Sequence, residues 1–169
     1  PLLKRVMERQ RSRGRAVPLG RVPAYAYARL IKAYAGSPIA PALSRIIEEM
    51  WDSPILTRRS KLLMLAVIAR GLNCDACAGE IGEALQREGF DDAALHQILT
   101  HLDAPELDDV ERLLVRFARE TIWYEPARIQ RRARALKEQL RELQLVEAIG
   151  VAALGNGLCR MGAILGCAQ

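Results

Sequence analysis

Cys74 and Cys77 enclose Asp75 and Ala76 in a C-x-x-C motif. On a helix, residues three apart share a face, so the two sulfurs can close a disulfide or chelate a metal. Asn73 is a good N-cap, which predicts Cys74 in the first turn of a helix. There the unpaired backbone N–H groups and the helix dipole favour a thiolate. Cys77, one turn deeper, is expected to be the more sheltered partner. An exposed thiolate beside a second sulfur at a helix start is an arrangement for thiol–disulfide exchange.

Two other readings compete with redox chemistry. A C-x-x-C is also half of a structural zinc site, which takes four ligands. The remaining candidates, Cys159, Cys167, His96 and His101, stand in no second ligand spacing, so no metal and no cofactor are expected. Free cysteine is also a small apolar packing residue. That is the favoured reading for Cys159 and Cys167, eight apart and near one face of the last helix; an approach of Cys159 to the C-x-x-C stays open. His96 and His101 are read as surface or cap residues.

The elements that must hold these residues read as helices throughout. Ala, Leu, Arg and Glu abound, and no segment alternates with the period of a strand. Helices are expected over Leu2–Ser12, from Pro23 to Gly36, over Pro41–Trp51, and from a Thr57 cap to Arg70, closing on Gly71. The middle of that fourth helix is apolar nearly all round, which places it at the centre. Further helices are expected from Asn73 to Gly89, from Asp91, from about Glu106 to Trp123, from Pro126 to about Leu143, and from Leu145 to Leu165. The fold class is therefore an all-α bundle, with Gly155 or Gly157 as points where the last helix could bend.

The 169 residues are 50% hydrophobic and 27% charged, enough for one domain with a real core. The net charge of +5 invites a nucleic-acid reading. However, residues 1–22 hold seven basic side chains and one acidic one (Glu8), a charge of +6, and the remainder carries −1. We read 1–22 as a basic arm and linker and 23–169 as the helical domain. The arm lacks interleaved aromatics, so nucleic acid is an unfavoured partner. The arginines of the Pro126 helix spread over several faces, as on a solvated surface. The longest apolar run, Leu62–Ala69, is too short to span a membrane, and no signal peptide is read. A reducing cytoplasm is the expected location.

Three stretches carry a family resemblance. LTRRSKLLMLAVIARGLNCDACAGEIGEALQREG (56–89) resembles the core of AhpD-like alkylhydroperoxidases and the related carboxymuconolactone decarboxylases. LLVRFARETIWYEPARI (113–129) and EAIGVAALGNGLCRMGAILG (147–166), with Asn156, Arg160 and Gly166, are similar to the family's downstream pattern. The resemblance spans about residues 40–166. It implies an all-α AhpD-like bundle, a homo-oligomer, and a redox pair that acts on a peroxide with a thiol reductant. In that family the second cysteine is the one that meets the peroxide.

The family's proton relay does not carry over. Its His four residues after the second cysteine is Ile81 here. Its Glu about a dozen residues before the first falls at Lys61 or Leu62. A peroxidase still needs an acid at the leaving oxygen and support for the thiolate. Glu80 is a candidate relay carboxylate, although a solvated helix face is the favoured role for it and for Glu83. Lys61 and Arg70 are candidate cations, Arg70 equally a charge that complements a helix C-terminus. Arg160 is expected to pair with a carboxylate or an interface oxygen. The leading expectation is a thiol-dependent peroxidase or disulfide-exchange protein. The alternatives are a decarboxylase-like enzyme working without cysteine redox, and an oligomeric scaffold that has lost catalysis.

Overall fold

The computed structural model describes residues 26–165. The expected basic helix, the arm and linker over 1–22, Cys167 and Gly166 lie outside the described residues. Within them the chain is all helical: α1 (Ala28–Ala33), α2 (Ala40–Asp52), α3 (Arg58–Gly71), α4 (Asp75–Arg87), α5 (Asp92–His101), α6 (Asp109–Trp123), α7 (Pro126–Gln139) and α8 (Glu142–Ile164).

Helix α3 is the axis of the bundle. Every residue from Ser60 to Ala69 is buried, and α4, α6 and α8 pack around it, with α5 at the edge. A helix with an apolar surface on all sides is stable in water only when other helices cover each side. Thr57 caps α3 as its sequence predicts, accepting from the Ser60 N–H. Asp91 does the same for α5 by accepting from Ala94.

Several boundaries differ from the sequence reading, each for a local reason. Helix α1 begins after Tyr27, its N-cap, which sits in the left-handed region at φ 79°, and it ends before the expected Gly36; the expected start at Pro23 lies outside the described residues. Helix α6 starts at Asp109 rather than near Glu106: Asp108 and Glu111 form a reciprocal capping box. Helix α7 ends at Gln139, where Leu140 turns extended, and α8 begins at Glu142, three residues earlier than expected. It then runs to Ile164 as one helix.

The turn between α3 and α4 departs from expectation in a way that sets the cysteines. Asn73 caps the end of α3 rather than the start of α4. It adopts φ 52°. Its N–H bonds to the Arg70 carbonyl and the Cys74 N–H bonds to the Ala69 carbonyl. That pair of bonds is a Schellman motif, with Asn as the residue that tolerates the left-handed position. Gly71 is the last residue of α3; a Cβ there would run into the Ile122 side chain.

Candidate active site

Because Asn73 belongs to the preceding helix, Cys74 itself is the N-cap of α4, and Cys77 lies in its first turn. The two form a disulfide with a Cα–Cα distance of 5.3 Å. The expected contrast between an exposed and a sheltered sulfur is absent. Within the single chain Cys74 is 3% and Cys77 4% exposed, because α8 lies across them. Gly162 is the residue of α8 that faces the pair. A Cβ there would stand 3.1 Å from the Cys74 sulfur and 3.3 Å from that of Cys77.

One turn before Gly162, Cys159 brings a third sulfur to the same place. Cys74, Cys77 and Cys159 are all buried, and their sulfurs lie within 4.8 Å of one another. Close packing, the favoured reading of Cys159, describes its burial but omits this neighbourhood. The signal available in the sequence was helical spacing: Gly155, Cys159 and Gly162 line one face of α8, opening a narrow seam against α3 and α4.

Tyr27 closes the seam from the other side. Its ring is 1% exposed, and its hydroxyl is 3.6 Å from the Cys159 sulfur. Burial pushes the Cys159 thiol up to about 11, with the Tyr27 hydrogen bond opposing. Burial also holds the Tyr27 phenol well above its ordinary value, and Cys159 and Glu80 push it the same way.

Glu80 is neither a solvated residue nor placed at the sulfurs. Its carboxylate accepts backbone N–H groups from Tyr27, Ala28 and Arg29. A carboxylate from α4 thus caps α1 and complements its dipole. That contact fixes Tyr27, whose ring carries the hydroxyl to Cys159. Glu83, by contrast, is exposed and pairs with Arg87.

Lys61 is likewise engaged elsewhere. It is fully buried, with Nζ 2.7 Å from the Met50 carbonyl oxygen, 2.6 Å from that of Ser53 and 2.9 Å from Glu147 Oε1. It precedes Gly71 by ten residues, so roughly 15 Å of helix separates it from the turn that carries the cysteines. Ile81, at the position where the resemblance implies a histidine, is completely buried in the core. His96 and His101 are exposed. Arg70 is exposed in the last turn of α3.

Asn156 and Arg160 tie α8 to α6. Asn156 donates to the Thr121 hydroxyl and to the Ala152 carbonyl, and Arg160 donates to the Ile122 carbonyl. Arg160 therefore meets a backbone oxygen at the end of α6 rather than a carboxylate. The expected spread of the α7 arginines holds: Leu136 is the one residue of that helix fully withdrawn from solvent, while Arg128 and Arg132 pair with Glu125 and Glu120.

Compared with models of protein families, with curated proteins and with solved structures, the chain matches none. No helix among the described residues is long and apolar enough to cross a membrane.

Proposed function

We propose that the protein is a thiol-dependent peroxidase of AhpD-like type, using Cys74 and Cys77 as its redox pair. The observation that carries this reading is their disulfide at the first turn of α4. The unpaired N–H groups of that turn favour the thiolate when the pair is reduced. Burial of both sulfurs favours a small oxidant over a bulky one, which selects a hydroperoxide over a protein disulfide.

The reaction has two steps. The Cys77 thiol gives up its proton, its thiolate attacks the outer peroxide oxygen, the O–O bond breaks, and the leaving alkoxide takes up one proton in place of the one the thiol released, giving a sulfenic acid and an alcohol. The Cys74 thiol then condenses with the sulfenic acid, forming the S–S bond and releasing water. A small thiol or dithiol reductant returns the pair to thiols, as a reducing cytoplasm would supply. Neither Glu80 nor Lys61 enters these steps, since each is already held by other groups.

A homo-oligomer belongs to the same reading. Leu143, Val146 and Ile149 follow one another at helical spacing on α8 and are each at least 46% exposed, an apolar stripe suited to a second copy.

The reading is tested by adding hydroperoxide to the reduced full chain and counting thiols. Wild type is expected to lose two thiols and to yield the Cys74–Cys77 disulfide, whereas Cys74→Ser and Cys77→Ser form no such disulfide. A wild type that loses no thiols, or serine variants that behave as wild type does, would overturn it.

A further inference from the structure

The peroxidase reading uses two of the three clustered sulfurs. We propose that Cys74, Cys77 and Cys159, when the disulfide is reduced, form a buried trithiol site for a trivalent metalloid hydroxide such as arsenous acid.

The geometry supplies three soft ligands from two elements. Cys74 and Cys77 come from the start of α4, and Cys159 comes from α8. An ion held by metal–sulfur bonds of about 2.3 Å keeps its sulfurs roughly 4 Å apart. The cluster already lies within 4.8 Å, so opening the disulfide and small side-chain rotations bring the sulfurs to that spacing. On the α8 side no side chain stands in the way of this motion. Gly162 presents no side chain where a Cβ would stand 3.1 and 3.3 Å from the two sulfurs.

Charge selects among the soft centres. Among the described residues, the one hydrogen bond at these sulfurs is between Cys159 and the Tyr27 hydroxyl. Glu80, which holds the Tyr27 backbone in place, brings no positive charge to them. A monovalent or divalent ion on three thiolates leaves a net negative charge, which beyond the N–H groups at the start of α4 meets apolar surroundings and is costly to bury. A trivalent centre on three thiolates is neutral.

The binding reaction is balanced without any oxidant or reductant: three thiols and As(OH)3 give As(SR)3 and three waters. Each thiol proton leaves with one hydroxide. Arsenic stays trivalent, and three As–O bonds are replaced by three As–S bonds. The preceding opening of the disulfide takes two electrons from a phosphine or dithiol reductant.

The test uses the full chain carrying Cys167→Ser, which removes the one thiol outside the described residues. The protein is reduced with a phosphine, freed of it without air, and mixed with sodium arsenite. Native mass spectrometry is expected to show one arsenic per chain with all three hydroxyls lost. Cys159→Ala is expected to give an adduct that keeps one hydroxyl, and to bind at least ten-fold more weakly. An equimolar addition of Zn2+ is expected to leave the arsenic in place.

An absent adduct, a first adduct that retains a hydroxyl, or displacement of arsenic by Zn2+ would each overturn the proposal. The hydroxyl count is read on protein that retains Cys159, so the result stands even if Cys159→Ala does not fold. Peroxide-driven loss of the Cys74 and Cys77 thiols is a separate readout that requires no Cys159. Failure of either reading is therefore distinguishable from failure of the other.

Discussion

The hydroxyl of Tyr27 and the sulfur of Cys159 meet 3.6 Å apart, 132 residues distant in sequence, and both side chains are buried. Both are weak acids held in their neutral forms by burial, so folding and alkaline pH oppose each other here. The Cys159 thiol is raised from 9.0 to about 11 in the folded chain. Unfolded protein therefore loses this proton first as pH rises. The stabilisation is whole below about 9 and falls away between 9 and 11. A shift of this size corresponds to about 2–3 kcal/mol at most. Urea unfolding at pH 8 and pH 10.5 checks this: wild type is expected to lose more stability between the two than Cys159→Ala does.

Glu80 offers a sharper separation of structure from chemistry. Its carboxylate receives three backbone N–H groups at the start of α1. Glu80→Ala leaves those donors without their acceptor and is expected to cost about 1–3 kcal/mol. Glu80→Gln keeps a carbonyl oxygen and is expected to cost less. Were Glu80 a proton relay, the Gln variant would lose peroxide reactivity while remaining folded. The expected outcome is the reverse: its thiol oxidation rate stays within a few-fold of wild type, and chemical denaturation shows the loss of stability.

The residues explain why part of this was legible beforehand and part was not. Thr57, Asp91 and Pro126 mark helix starts through their own backbone and side-chain chemistry, and each stands where that chemistry predicts. The apolar surface of α3 announces its central place in the same way. Asn73 is different, since it suits both the start of a helix and the left-handed end of one. Only the two hydrogen bonds from Asn73 and Cys74 back to α3 decide between these roles. Likewise the burial of Lys61 and the task of Glu80 depend on partners 86 and 51–53 residues away in sequence, Glu147 and the backbone at Tyr27–Arg29. No local pattern encodes such a pairing, and the position of Cys159 beside the C-x-x-C is of the same kind.

Two glycines of α8 test how tightly the seam is closed. A Cβ on Gly155 would stand 2.5 Å from Leu65 Cδ2 and 3.2 Å from Ile68 Cδ1, whereas one on Gly157 would meet nothing within 4 Å. Gly155→Ala forces α3 and α8 apart or the Leu65 side chain aside, at an expected cost of about 1–3 kcal/mol. Gly157→Ala is expected to stabilise by up to about 1 kcal/mol, the helix-propensity gain alone. Thermal unfolding of the two variants should shift in opposite directions. A common direction would mean that the seam yields without resistance.

Lys61 is the buried charge on which the junction of α2, α3 and α8 depends. It donates to the Met50 and Ser53 carbonyls and pairs with Glu147. The same carboxylate accepts from the Leu56 N–H. Lys61→Met removes the cation but leaves a largely buried carboxylate unpaired, which is expected to cost about 3–5 kcal/mol. Adding Glu147→Gln removes the orphaned charge while keeping an acceptor for Leu56, so the double variant should recover part of that loss. The two carbonyls at the end of α2 stay without their donor, which keeps the recovery incomplete. Denaturant midpoints of the single and double variants measure this coupling. Additive effects would show that Lys61 and Glu147 act separately, and a Lys61→Met protein as stable as wild type would deny the ion pair its structural role. Thiol counts after peroxide treatment of the folded double variant should match wild type, because the pair stands at the far end of α3 from Cys74 and Cys77.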